Sequence, residues 1–148
     1  SMKNLFVAAI MIAMSIPMIA CEKYDDFGSM SLAQSSPKIN TTVVSIYPNA
    51  RVVDIDRELR TYEVEIIDNG VKREVILDLS FGWIRTETEV RHVDLPEAVT
   101  SRIATKYVGW RIDDAKLIDT PDGSHYRIEI EKNDRDRTVK ITAAGEII

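Results

Sequence analysis

Tyr62-Glu63-Val64-Glu65-Ile66-Ile67-Asp68-Asn69-Gly70 is the stretch whose reading decides the fold. Tyr62, Val64 and Ile66 alternate with Glu63 and Glu65, the period-two pattern of a strand with one buried face, and Asp68-Asn69-Gly70 closes it with a turn. Tyr126-Arg127-Ile128-Glu129-Ile130 repeats the pattern 64 positions later, ahead of a turn at Asn133-Asp134. Upstream, Tyr47-Pro48-Asn49-Ala50-Arg51-Val52 returns as Tyr107-Val108-Gly109-Trp110-Arg111-Ile112 at an offset of 60. Downstream, Gly82-Trp83-Ile84 returns as Gly145-Glu146-Ile147 at an offset of 63. A repeated unit must bury the same face in the same way each time, so one copy predicts the other.

Outward from that strand, the segment before Tyr107 reads as an amphipathic helix of about three turns, with Val99, Ile103 and Tyr107 on one face. Pro96 stands near its first position, where a missing N–H is no loss, and Glu97 suits the positive end of the helix dipole. Pro37, Ile39, Val43 and Tyr47 repeat the scheme, and Pro48 or Gly109 ends each helix. Val52 to Ile55 and Ile112 to Leu117 supply a strand before each Tyr, and Asp122-Gly123 marks a tight turn. Val75 and Leu77, matched by Val139 and Ile141, point inward from the next strand. Gly82 or Gly145 introduces a final strand with Ile84 or Ile147 inward. The expected class is α+β: a tandem duplicated helix plus four-stranded antiparallel sheet, with repeats at 37–90 and 95–148. Joined edge to edge, the copies make a continuous sheet of about eight strands with both helices on one face and the other face open.

The N-terminus carries an address. Met2-Lys3-Asn4 is a short positive region, and Leu5 to Ile19 is an apolar run of 15 residues, shorter than the roughly 20 a membrane span needs and matching a secretory signal. Residues 1–20 are therefore read as a signal peptide, with Ser1 ahead of Met2 as a tag residue. Met18-Ile19-Ala20-Cys21 resembles a bacterial lipobox, in which the cysteine is lipidated and becomes the new N-terminus. Cys21 is the only cysteine, so it has no internal disulfide partner, and its place at the leader boundary suits acylation. Residues 21–36 carry four Ser, two Asp and one Gly and read as a flexible tether. The expected location is exported: periplasm or outer membrane as a lipoprotein, or the cell surface, with membrane contact only through the lipid anchor.

Removing the leader leaves 128 residues, enough for one compact domain or two small halves packed together. The formal charge of −5 becomes −6 when Lys3 leaves, 18 basic against 24 acidic residues. An acidic surface with no Lys/Arg stripe opposes contact with phosphate backbones, so no nucleic-acid partner is expected.

A Pro-initiated helix ending in Tyr-Pro-Asn-Ala or Tyr-Val-Gly-Trp, a strand, a Tyr-x-[Val/Ile]-Glu-Ile strand and a closing strand introduced by Gly resemble the PepSY-like, beta-lactamase-inhibitor-like proteins exported by Bacteroides-type bacteria. The resemblance covers residues 37–148. It implies the fold above and takes its name from an inhibitor with tandem helix-plus-sheet repeats that clamps an enzyme with its concave sheet. It does not imply inhibition of a beta-lactamase, and no inhibitory loop transfers residue by residue.

Enzymatic chemistry fails on inventory. His92 and His125 are the only histidines, and neither has a partner three or four positions away to build a metal site. Ser124 and His125 are adjacent on a strand and point to opposite faces, which rules them out as nucleophile and base. No phosphate-binding Gly loop occurs. Acidic pairs at Asp54/Asp56, Asp113/Asp114, Asp119/Asp122 and Asp134/Asp136 lack the spacing of an EF-hand. No catalytic residue, cofactor or metal ligand is therefore assigned.

Comparison of the two open faces is more informative. Lys140 and Glu146 of the second copy are matched by Ile76 and Trp83 of the first, with Glu74 and Arg85 nearby. Pairing across Leu79 to Gly82 would set Trp83 beside Asp78 with Ile76 diagonal to it, the look of an interface anchor. A shift of one residue in register would turn Trp83 into the core instead. Trp110, in place of Ala50, reads as a cap on the core between the copies. The expected function is a non-catalytic exported binding module, an inhibitor or modulator of an envelope protein or peptide, with Trp83, Ile76, Arg85 and Glu74 as the partner site. The alternative is a ligand- or calcium-responsive periplasmic protein that senses through its acidic loops.

Overall fold

The hairpins are set by residues suited to tight reversal. Asn69 (φ 48°) and Gly70 (φ 80°) form one turn and Asn133 (φ 50°) and Asp134 (φ 58°) another; positive φ at both central positions matches the right-handed twist of the flanking strands. The protein is described by a computed structural model over residues 32–148. Helix α1 (Leu32–Ile46) leads into strands β1 (Ala50–Arg57), β2 (Thr61–Asp68), β3 (Val71–Asp78) and β4 (Trp83–Glu89). A 3-10 turn (His92–Asp94) and helix α2 (Glu97–Lys106) follow, then β5 (Arg111–Thr120), β6 (Gly123–Lys132) and β7 (Arg135–Ile141). The strands form one antiparallel sheet in chain order. The leader, Cys21 and residues up to 31 lie outside the described residues.

Among the described residues seven strands replace the expected eight. The segment after Gly145 pairs at a single position, Ile141 with Ile147, so the last strand of the second half is reduced to a bridge. Helix α1 also starts before Pro37, which lies inside it.

Both helices cover the same face, over two separate cores. Beneath α1, Ile39 and Val43 pack with Tyr62, Val64, Ile66, Val75 and Leu77. Beneath α2, Val99 and Ile103 pack with Ile128, Ile130, Val139 and Ile141. The buried positions of β2 alternate without interruption, as its period-two pattern dictates. A polar seam divides the clusters: Thr86 and Thr88 of β4 are buried, accepting hydrogen bonds from Trp83 Nε1 at 3.0 Å and Arg73 Nη1 at 2.9 Å. Trp110 is not a cap between the halves. It packs against the second cluster alone, with the Arg137 guanidinium 5.3 Å from its ring.

The third repeated block overturns one expectation. Leu77 pairs with Trp83 and Ile76 with Arg85, so Ile84 is an extra residue in β4, 37% exposed rather than inward. Such a bulge rotates what precedes it, and Trp83 packs against the first cluster on the helix face. The cause lies in the turn. Asp78 N donates to Gly82 O as Thr142 N donates to Glu146 O, and the left-handed residues are Phe81 (φ 66°) and Gly145 (φ 85°). Phe81, not Gly82, is thus the equivalent of Gly145, and Trp83 is the equivalent of inward Ile147. Stacking on Tyr62 at 5.4 Å and the Lys38 ammonium at 5.6 Å help hold Phe81 in a backbone region that disfavours it.

Gly145 has no such freedom. A Cβ there would sit 2.6 Å from the backbone oxygen of Ala98 in α2. Gly145→Ala is expected to lower stability by about 1.5 kcal/mol, from left-handed strain and forced displacement of α2. A urea midpoint unchanged from wild type would show that the turn relaxes freely.

Candidate functional site

The face opposite the helices is covered by no element among the described residues, and its side chains can be read row by row across the strands. Asp54 pairs with Glu65, Glu65 with Glu74 and Glu74 with Glu87, placing four carboxylates side by side from β1 to β4. The next row carries the opposite sign from β5 to β7, where Lys116 pairs with Arg127 and Arg127 with Lys140. Like charges directly opposite one another destabilise a sheet, so each row needs compensation.

Glu87 supplies much of it. Its side chain is 8% exposed and lies at the meeting of the two halves. Arg85 Nε donates to Oε2 at 2.8 Å and Arg127 Nη2 to Oε1 at 2.6 Å, with Lys116 Nζ 3.6 Å from Oε1. Burial alone would push this carboxyl up, but the hydrogen bonds and charges of Arg85 and Arg127 outweigh it and hold it below its ordinary value. Ile118, its β5 neighbour, is buried beside it. Nearer β1, Glu63 goes the other way: burial and the carboxylates of Glu74, Glu58, Asp56 and Glu87 raise it. An open depression of about 200 Å³ on this face is lined by side chains of both signs, Glu65, Glu74, Glu87 and Glu89 with Lys72 and Lys116 among them.

The sheet brings together three of the four residues singled out from sequence. Glu74, Ile76 and Arg85 share the open face, whereas Trp83 is on the other. Ile76 is no exposed anchor: with Glu63 and Arg85 at its cross-strand positions it is 1% exposed. Glu87 and Lys116 were missed, and Arg127, outward by the alternation of its strand, was not singled out. Their signal was the outward phase of Thr86-Glu87-Thr88-Glu89 and Lys116, recoverable only with the pairing of β4 to β5. His125 also faces this side, opposite Ile118, where burial and then the charges of Lys140 and Arg127 lower its pKa. Ser124 bonds Asp119 on the helix side, so it forms no pair with His125. Among the described residues no three His, Cys, Asp or Glu side chains converge on a metal position, and no helix is long and apolar enough to cross a membrane.

The profile of the beta-lactamase-inhibitor-like, PepSY-like family matches residues 23–82 and again 69–148, most of the chain. The chain belongs to this family. A BLIP-like protein from Bacteroides fragilis is similar to this PepSY-like protein at TM-score 0.71 and 23% identity, over 84% of this chain and 88% of that one. A DUF2874 family protein from Bacteroides uniformis gives 0.65 and 22%, over 75% and 84%. A protein from Bacteroides eggerthii described as periplasmic gives 0.63 and 16%, over 75% and 84%. At these identities the likeness is one of fold. No curated protein is significantly similar to the PepSY-like chain.

Proposed function

We propose that this PepSY-like protein is a non-catalytic, exported binding module that docks an envelope protein or peptide on its open sheet face. The observation that carries the reading is the two-sided division of labour: both helices lie on one face, while the other is a seven-stranded platform of charged side chains with an ion-paired Glu87 at its centre. Family membership supports a non-enzymatic role, and a name built on an inhibitor is consistent with restraint of an enzyme. Equivalent bulges at Val53 and Asp113, the two positive-φ hairpins and the matching Asp78 and Thr142 turns support an origin by tandem duplication. Export follows from the leader reading, and anchoring through Cys21 is part of the proposal. Among the described residues no clustered acidic ligands favour the calcium alternative.

Envelope extract passed over the immobilised mature chain provides the test. Glu74→Trp with Thr138→Trp, both at exposed positions of the open face, is expected to abolish capture of a specific protein, while Trp83→Phe on the opposite face leaves it intact. Absence of any specific partner, or capture indifferent to the paired open-face substitutions, would sink the reading.

A further inference from the structure

We propose that Lys116, Arg127 and Lys140, flanked by Arg85, form a docking strip for an acidic segment of a partner protein. The proposal deepens the open-face reading above and rests on it. Three cations stand at directly paired positions on neighbouring strands, about 4.8 Å apart, an arrangement that costs stability in the free protein. Their compensation is incomplete. Glu87 alone serves Arg85, Lys116 and Arg127 as ion-pair partner; Glu89 stands opposite Lys116 on β4 without an ion pair to it, and among the described residues no carboxylate pairs with exposed Lys140. The side chains of Arg85, Lys116 and Arg127 keep 37%, 32% and 31% of their exposure, so they remain reachable.

Two further features fit an acidic occupant. His125 beside the strip is biased towards its neutral form first by burial and then by the positive charges of Lys140 and Arg127. The carboxylate row Asp54, Glu65, Glu74 on β1 to β3, in which Glu65 alone has an ion-pair partner, Lys72 at 3.2 Å, repels an acidic segment from the other half of the face and favours β5 to β7. Buried Ile118 and Ile76 lie close to the cations, and an apolar neighbourhood strengthens each charge contact made above it.

Hexaglutamate, titrated into isotopically labelled mature chain and followed by amide chemical shifts, provides the test. Shifts are expected along β5 to β7 around Lys116, Arg127 and Lys140, weakening with added salt, with hexalysine producing none there. Lys140→Glu replaces an attraction with a repulsion and is expected to weaken hexaglutamate binding about tenfold. Because Lys140 is exposed without an ion-pair partner and Lys140→Glu sets a carboxylate opposite Arg127, the thermal midpoint should not fall below wild type, so loss of binding is separable from unfolding. Shifts absent from β5 to β7, or binding indifferent to Lys140→Glu, overturn the strip. Open-face capture of an envelope protein that survives Lys140→Glu also overturns it while leaving the docking reading standing. Self-association at low salt that disappears in Lys140→Glu assigns the strip to a second copy, which overturns it as well.

Discussion

Ile128→Ala is expected to reduce the unfolding free energy by about 3 kcal/mol, the largest single loss among the substitutions considered. Ile128 is fully buried between Ala115 of β5 and Val139 of β7, under Val99 and Ile103 of α2. Three heavy atoms would leave a cavity bounded by a sheet on one side and a helix on the other, neither free to collapse into it. Ile66 is as fully buried under α1, and Ile66→Ala should cost a similar amount. Since the two clusters share no member, the double variant should be additive to within about 0.5 kcal/mol. Coupling well above that, measured in denaturant, would mean that the polar seam does not separate the cores.

Glu87→Ala is expected to cost about 2 kcal/mol, below the usual penalty for breaking a buried ion pair because its cationic partners can rehydrate and Glu74 gains relief from a like charge. Acid titration gives a cleaner reading. The folded carboxyl is held below its ordinary value by Arg85 and Arg127 against the opposing effect of burial, so its stabilisation is complete above the unfolded value of about 4.3. As pH falls below that value the unfolded chain takes up the proton first, and the contribution drains away until the folded carboxyl is protonated too. Glu87→Gln should therefore start less stable at neutral pH and lose less stability on acidification. An acid limb equally steep in both proteins would refute the hub.

Residues whose environment depends on near neighbours were legible in the sequence. The alternation around Tyr62 and Tyr126 placed β2 and β6 and their inward side chains, and the helix stripes of Ile39, Val43, Val99 and Ile103 placed both cores. Trp83 was misplaced because Gly82 was matched to Gly145, whose left-handed place in the turn Phe81 takes instead. Ile76 faced the expected way, yet long cross-strand neighbours bury it, and a strand read in isolation does not show its neighbours. Glu87 was invisible for a related reason. Its cations come from β4, β5 and β6, and a 3-10 turn and a whole helix intervene between β4 and β5.

The seam of Thr86 and Thr88 has a consequence for how such a chain can change over generations. With each half closing its own core, a substitution under α1 asks for no compensating change under α2, and the two interiors can drift apart at little mutual cost. The open face has no such partition, because the carboxylate of one half answers to cations of the other. Constraint between the halves therefore concentrates on the outer surface, the reverse of a protein whose interior ties its parts together.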